Sequence, residues 1–130
     1  MSNSYRDLIA WQKAFSLAAD VYRQAEDFPK TERFELTSQI KRSAISVVSN
    51  IAEGQGRNSC GEFLQFLGQA KGSLAELETQ LLLAKELGFL RTEHSEELLV
   101  RWDAVSRLVN GLMRSLRASK ASAEKLETRN

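Results

Sequence analysis

Apolar residues recur along most of this chain in steps of three and four. Leu8, Trp11, Phe15, Ala18, Tyr22 and Ala25 trace one stripe, and Leu36, Ile40, Ala44, Val47 and Ile51 a shorter second one. Phe63, Leu67, Ala70, Leu74, Leu77, Leu81 and Ala84 trace a third, and Leu98, Trp102, Val105, Val109, Leu112 and Leu116 a fourth. This spacing puts one apolar face on each of four helices. No segment keeps a period of two, so strands are not expected.

The breaks between stripes carry helix-ending and helix-starting residues. Phe28-Pro29 ends the first helix, because proline disfavours helical backbone at the residue before it. Thr31 and Thr37 are both acceptable N-caps for the second helix, and the sequence does not choose between them. Gly88 suits a helix-ending position after Leu87. Thr92 is placed to cap the fourth helix, with Glu93 and Glu96 at the positive end of its dipole. The third helix, about 28 residues, would be roughly 42 Å long. Short connections between long helices imply an all-α, antiparallel up-down-up-down four-helix bundle. Beyond Leu116 the stripe fades into "RASKASAEKLETRN". The expected layout is therefore a bundle domain over residues 1–116 and a flexible basic tail over 117–130.

One stretch, "SNIAEGQGRNS" at residues 49–59, invites comparison with a phosphate-binding loop. Such loops follow a strand, whereas a helical stripe precedes this one. The third glycine of G-x-G-x-x-G is missing, and there is no G-K-[ST]. A helix reversal fits better, with Gly54 in the left-handed position after the second helix and Gly56 easing the turn. Ser59 and Glu62 then form an S-x-x-E capping box for the third helix. Arg57, beside that helix start, keeps the capacity to hold an anion.

At 130 residues the chain suits one domain with a single core. The lone Cys60 allows no internal disulfide, which fits a cytoplasmic location. No apolar run reaches the roughly 18 residues of a membrane span, and the N-terminus lacks the pattern of a signal peptide. Net charge is +1. From Arg114 onward five basic residues oppose Glu124 and Glu127, a local +3, which leaves −2 for the rest. Candidate chemistry is sparse. His94 is the only histidine, expected in an exposed first turn, and Cys60 has no second group to activate it. The Glu-x-x-His signature of metal-binding bundles is absent. No catalytic residue, metal or cofactor is expected, and the chain does not read as an enzyme.

Surface residues are more informative. Opposite the core stripe of the third helix lie Leu64, Gly68, Ala75 and Leu82, and Ile45, Val48 and Ala52 flank the stripe of the second. Such wide apolar arcs serve either a thick bundle core or self-association. Lys41, Arg42 and Arg57 are the basic candidates on the bundle. Repeated around an oligomer they would offer a sequence-independent surface to RNA or DNA.

The segments "DLIAWQKAFSLAADVY", "LTSQIKRSAISVVSNIAEGQGR" and "EFLQFLGQAKGSLAELETQLLLAKELGFL" resemble bacterial four-helix-bundle proteins first named for intervening sequences in 23S ribosomal RNA genes. The likeness runs from about residue 5 to 90. It departs at Glu35, Val48 and Gly61, where many members carry glycine, proline and lysine. The resemblance implies assembly as a ring-like homo-oligomer, a pentamer. It also implies a relationship to the accessory variability determinant of diversity-generating retroelements, which binds nucleic acid and partners a reverse transcriptase. Lys41, Arg42 and Arg57 fall on the basic positions of that pattern. Two functions follow as expectations: nucleic-acid binding by the oligomer, or a scaffold that docks a protein such as a reverse transcriptase.

Overall fold

The computed structural model describes residues 4–129, so residues 1–3 of the expected bundle and Asn130 of the expected tail lie outside it. Four α-helices follow a short 3₁₀ turn at Tyr5–Asp7: α1 (Ile9–Ala25), α2 (Leu36–Gln55), α3 (Cys60–Glu86) and α4 (Thr92–Arg129). No strand occurs among the described residues. Each helix packs on its neighbours in the order α1–α2–α3–α4, and α4 closes back on α1, so α1 and α3 stand diagonally across the core. Phe28 after α1 and Phe89 before α4 meet with ring centroids 5.9 Å apart, which places both of those connections at one end of the bundle.

The core seams of α2 and α3 are the ones their sequence stripes mark. Leu36, Ile40, Ala44, Val47 and Ile51 are all buried, as are Leu67, Ala70, Leu74, Leu77, Leu81 and Ala84. Helix α1 is rotated from its expected setting. Its buried seam is Ala10, Ala14, Leu17, Val21 and Ala25, whereas Phe15 is 55% exposed and Trp11 and Tyr22 are half-buried. Alanines let α1 approach the bundle closely, and the larger rings move to the flank. In α4 the buried apolar residues are Leu98, Val105, Val109 and Met113, with Trp102 half-buried and its Nε1–H donating to the Leu74 carbonyl at 2.7 Å.

The helix ends refine several expectations. Neither Thr31 nor Thr37 caps α2: Thr31 lies in a 3₁₀ turn at Lys30–Glu32, and α2 starts at Leu36 after Glu35, which gives no side-chain cap. Ser59 does cap α3, accepting from the Glu62 N–H at 3.1 Å while its hydroxyl donates to Glu62 Oε1 at 3.3 Å. Helix α3 ends in a Schellman motif, in which the Phe89 N–H reaches the Ala84 carbonyl and the Gly88 N–H reaches that of Lys85. Gly88 supplies the left-handed backbone there, at φ +76°. Thr92 is the first residue of α4 rather than the residue before it.

Two expectations are overturned. Gly54 is not a left-handed residue after α2 but a buried residue in its last turn. It is small because Phe63 and Phe66 of α3 pack onto it: a Cβ would sit 2.7 Å from Phe63 Cδ1 and 3.0 Å from Phe66 Cβ. The segment after Leu116 continues α4 to Arg129 instead of fraying. From Arg117 to Thr128 its side chains are exposed, as a fading stripe requires, but alanine, lysine, leucine and glutamate favour helix without packing, and no glycine or proline interrupts them.

Candidate interaction surfaces

The three basic candidates do not converge. Lys41 lies in the second turn of α2 and Arg57 two residues past its end, with roughly 20 Å of helix axis between them. Lys41 is held by its own chain: Nζ lies 2.6 Å from Glu26 Oε1 and 5.0 Å from the Tyr22 ring centroid. That hydrogen bond, with the lysine charge, holds the Glu26 carboxyl below its ordinary pKa. Arg57 lies over the Phe66 ring at 4.7 Å and within 3.7 Å of Glu53. Neither is a bare charge awaiting a phosphate. Arg42 is exposed and makes no ion pair among the described residues. It lines a small cleft between α2 and α3 with Gln39, Ser43, Glu76 and Gln80.

The two halves of the expected oligomer surface lie on different sides of the bundle. Ile45, 47% exposed, and the half-buried Val48 open into a groove against α1. Ala52, also half-buried, follows on the same flank of α2. The other flank of α2 packs on α3, where the Ser73 hydroxyl donates to Ser46 at 2.8 Å. On α3, Gly68 and Ala75 are exposed, Leu82 is 48% exposed and Leu64 is half-buried. Gly68, Ala75 and Leu82 face away from the core, whereas Leu64 packs against it. No heavy atom lies within 4 Å of where a Cβ would stand on Gly68 or Gly72.

The sequence stripe hid the α1 contribution. Spacing places Phe15 in the core, yet it lines the groove together with Ile45. Nothing in the spacing separates a large residue on the seam from one beside it. His94, expected exposed, is half-buried. Among the described residues no three histidine, cysteine or acidic side chains are placed to hold a metal ion. No described helix is long and apolar enough to cross a membrane.

Residues 6–111 match the family model described as 23S rRNA-intervening sequence protein. Among solved structures, the chain is similar to a crystal structure of a protein with unknown function from the S23 ribosomal protein family of Bacteroides thetaiotaomicron. That similarity has a TM-score of 0.73 at 21% identity, covering 81% of this chain and 98% of the other, and shows the shared fold. No curated protein matches the sequence.

Proposed function

Since the chain belongs to the 23S rRNA-intervening sequence protein family, we propose that it is a non-enzymatic four-helix module of the cytoplasm that works as a homo-oligomer. One observation carries this reading. From Gly61 to Leu83 the outward arc of α3 presents no charged side chain over about six turns, although Gly68, Gly72, Ala75 and Thr79 are exposed. A helix of a solitary bundle turns its charges to water along that arc, and an apolar strip left facing outward marks an interface. A ring, the pentamer implied by the family resemblance, would cover the strip on every subunit. Ala75→Glu tests this, because the residue is exposed and its replacement leaves the core untouched. The variant is expected to keep full helix content by circular dichroism and to elute from light scattering with the mass of one chain. An unchanged oligomer would remove α3 from the interface.

A second reading, nucleic-acid binding, is supported by the last turns of α4. Arg114, Arg117, Lys120 and Lys125 are exposed on a helix that runs past the start of α3, where Lys120 Nζ lies 3.8 Å from the Cβ position of Gly61. Repeated around a ring, these charges and Arg42 would form a basic rim, while Lys41 and Arg57 are already occupied. Binding to RNA or DNA would then weaken steeply with salt. In gel-shift titrations at low salt, replacing Arg117, Lys120 and Lys125 together by glutamate is expected to abolish binding, and Lys41→Glu to reduce it less. The reverse order would return the role to α2.

A further inference from the structure

The seam between α2 and α3 is polar on its solvent side, where it opens into a cleft of about 250 Å³ lined by Gln39, Arg42, Ser43, Ser46, Glu76 and Gln80. We infer that this cleft binds a small zwitterion of the amino-acid class, its carboxylate on Arg42 and its ammonium between Glu76 and the Gln80 amide oxygen. The register of the two helices brings these groups together. Ser46 meets Ser73 across the seam. Arg42 and Gln39 lie about one and two turns before Ser46, and Glu76 and Gln80 about one and two turns after Ser73. Because the helices are antiparallel, the same turns face each other.

Two observations point to a ligand. The buried serines of the seam are satisfied within the chain: the Ser43 hydroxyl donates to the Gln39 carbonyl at 3.1 Å and that of Ser73 to Ser46 at 2.8 Å. Gln80 is not. It is 9% exposed, and no donor of the protein reaches its Oε1. An enclosed acceptor without a donor is destabilising. The last torsion of glutamine is broad, so the amide turns readily toward a donor that enters the cleft. The second observation is electrostatic. Arg42 and Glu76 line the cleft from different helices, both exposed, and neither makes an ion pair among the described residues. A simple anion on Arg42 would be repelled by Glu76, and a simple cation on Glu76 by Arg42. A molecule carrying both charges answers both with charge-assisted hydrogen bonds. Size narrows the class further. The cleft is smaller than the roughly 300–1,000 Å³ of pockets that hold drug-sized ligands, which suits an amino acid and not a nucleotide.

Isothermal titration calorimetry of the full chain tests this, with each of the twenty protein amino acids as the probe in turn. At least one with a small uncharged side chain is expected to bind once per chain. Acetate and ethylamine, which each carry one of the two charges, are expected to bind it about tenfold or more weakly, the scale of one lost charge-assisted hydrogen bond. Arg42→Gln and Glu76→Gln alter exposed residues and leave the core intact, and each is expected to weaken binding by a similar factor. Lys71→Gln, exposed on α3 outside the cleft, is expected to leave it unchanged. Gln80→Leu removes the unpartnered acceptor, so it is expected to raise the melting temperature of the ligand-free chain and to lose binding. Absence of binding by every amino acid, equal binding of acetate or ethylamine, or parental affinity in the Arg42, Glu76 or Gln80 variant would each overturn the proposal. The cleft lies within one subunit, so these readouts are separate from the mass measurements that test self-association.

Discussion

A methyl group on Gly54 would stand 2.7 Å from Phe63 Cδ1, closer than side chains come without moving something. The nearest atoms belong to two phenylalanines of α3, the Phe63 ring and the Phe66 Cβ, that meet α2 where the chain reverses, and Phe63 is fixed in the first turn after the Ser59 cap. Gly54→Ala should therefore destabilise the bundle, even though alanine is the better helix former. Overpacking of this kind costs about 1–3 kcal/mol, and alanine's helix preference returns less than about 1 kcal/mol. Urea unfolding of the variant is expected to show a lowered midpoint with an unchanged slope. A midpoint equal to or above that of the parent chain would mean that the rings yield freely. The neighbouring Arg57 shows the same economy of position: its guanidinium lies on the Phe66 ring, so its first role is to cover that aromatic contact.

At the scale of elements, the core seams of α2 and α3 were legible and that of α1 was not. The stripes of α2 and α3 are built mostly of leucine, isoleucine and valine on the seam itself, so spacing and burial agree. In α1 the seam is mostly alanine, which carries little hydrophobic signal, and the rings of Trp11, Phe15 and Tyr22 define a stripe rotated by roughly 80° at 100° per residue. The Gly54 assignment failed for a related reason: a glycine near a helix end reads as a turn, while the close approach of α3 is a tertiary fact. What ties α1 to α4 was likewise invisible, since it joins residues 81 positions apart. Arg101 donates to Asp20 and, at 2.9 Å, to the Ser16 hydroxyl. Its hydrogen bond is the main cause that holds the Asp20 carboxyl below its ordinary pKa, with Arg23 adding to the effect against partial desolvation. A carboxyl whose folded-state pKa is depressed stabilises the fold above its unfolded value and loses that contribution as the pH falls through the folded one. Asp20→Asn should thus cost up to about 1 kcal/mol near neutral pH, the scale of a solvent-screened pair. The difference from the parent chain should shrink below about pH 4, where carboxylates begin to protonate. Chemical denaturation at the two pH values checks this, and a difference that grows in acid would contradict it.

For the whole molecule, the arrangement of surfaces matters more than any single group. The sequence marks Ile45 and Val48 on one helix and Gly68, Ala75 and Leu82 on another, but does not show that they lie on different sides of the bundle. That depends on how α2 and α3 turn against each other, with Ser46 and Ser73 between them. The basic residues were also visible but not their partners, because the Lys41–Glu26 pair crosses between helices. The proposed self-association rests on uncharged outward surfaces on α3 and on the α1 side of α2, with the basic end of α4 exposed at the margin. The most direct test of that account is the absolute mass of the unmodified chain by light scattering over a range of concentrations. The account predicts a single species at a whole-number multiple, greater than one, of the 14.6 kDa chain. A species that stays at 14.6 kDa at every concentration would contradict it.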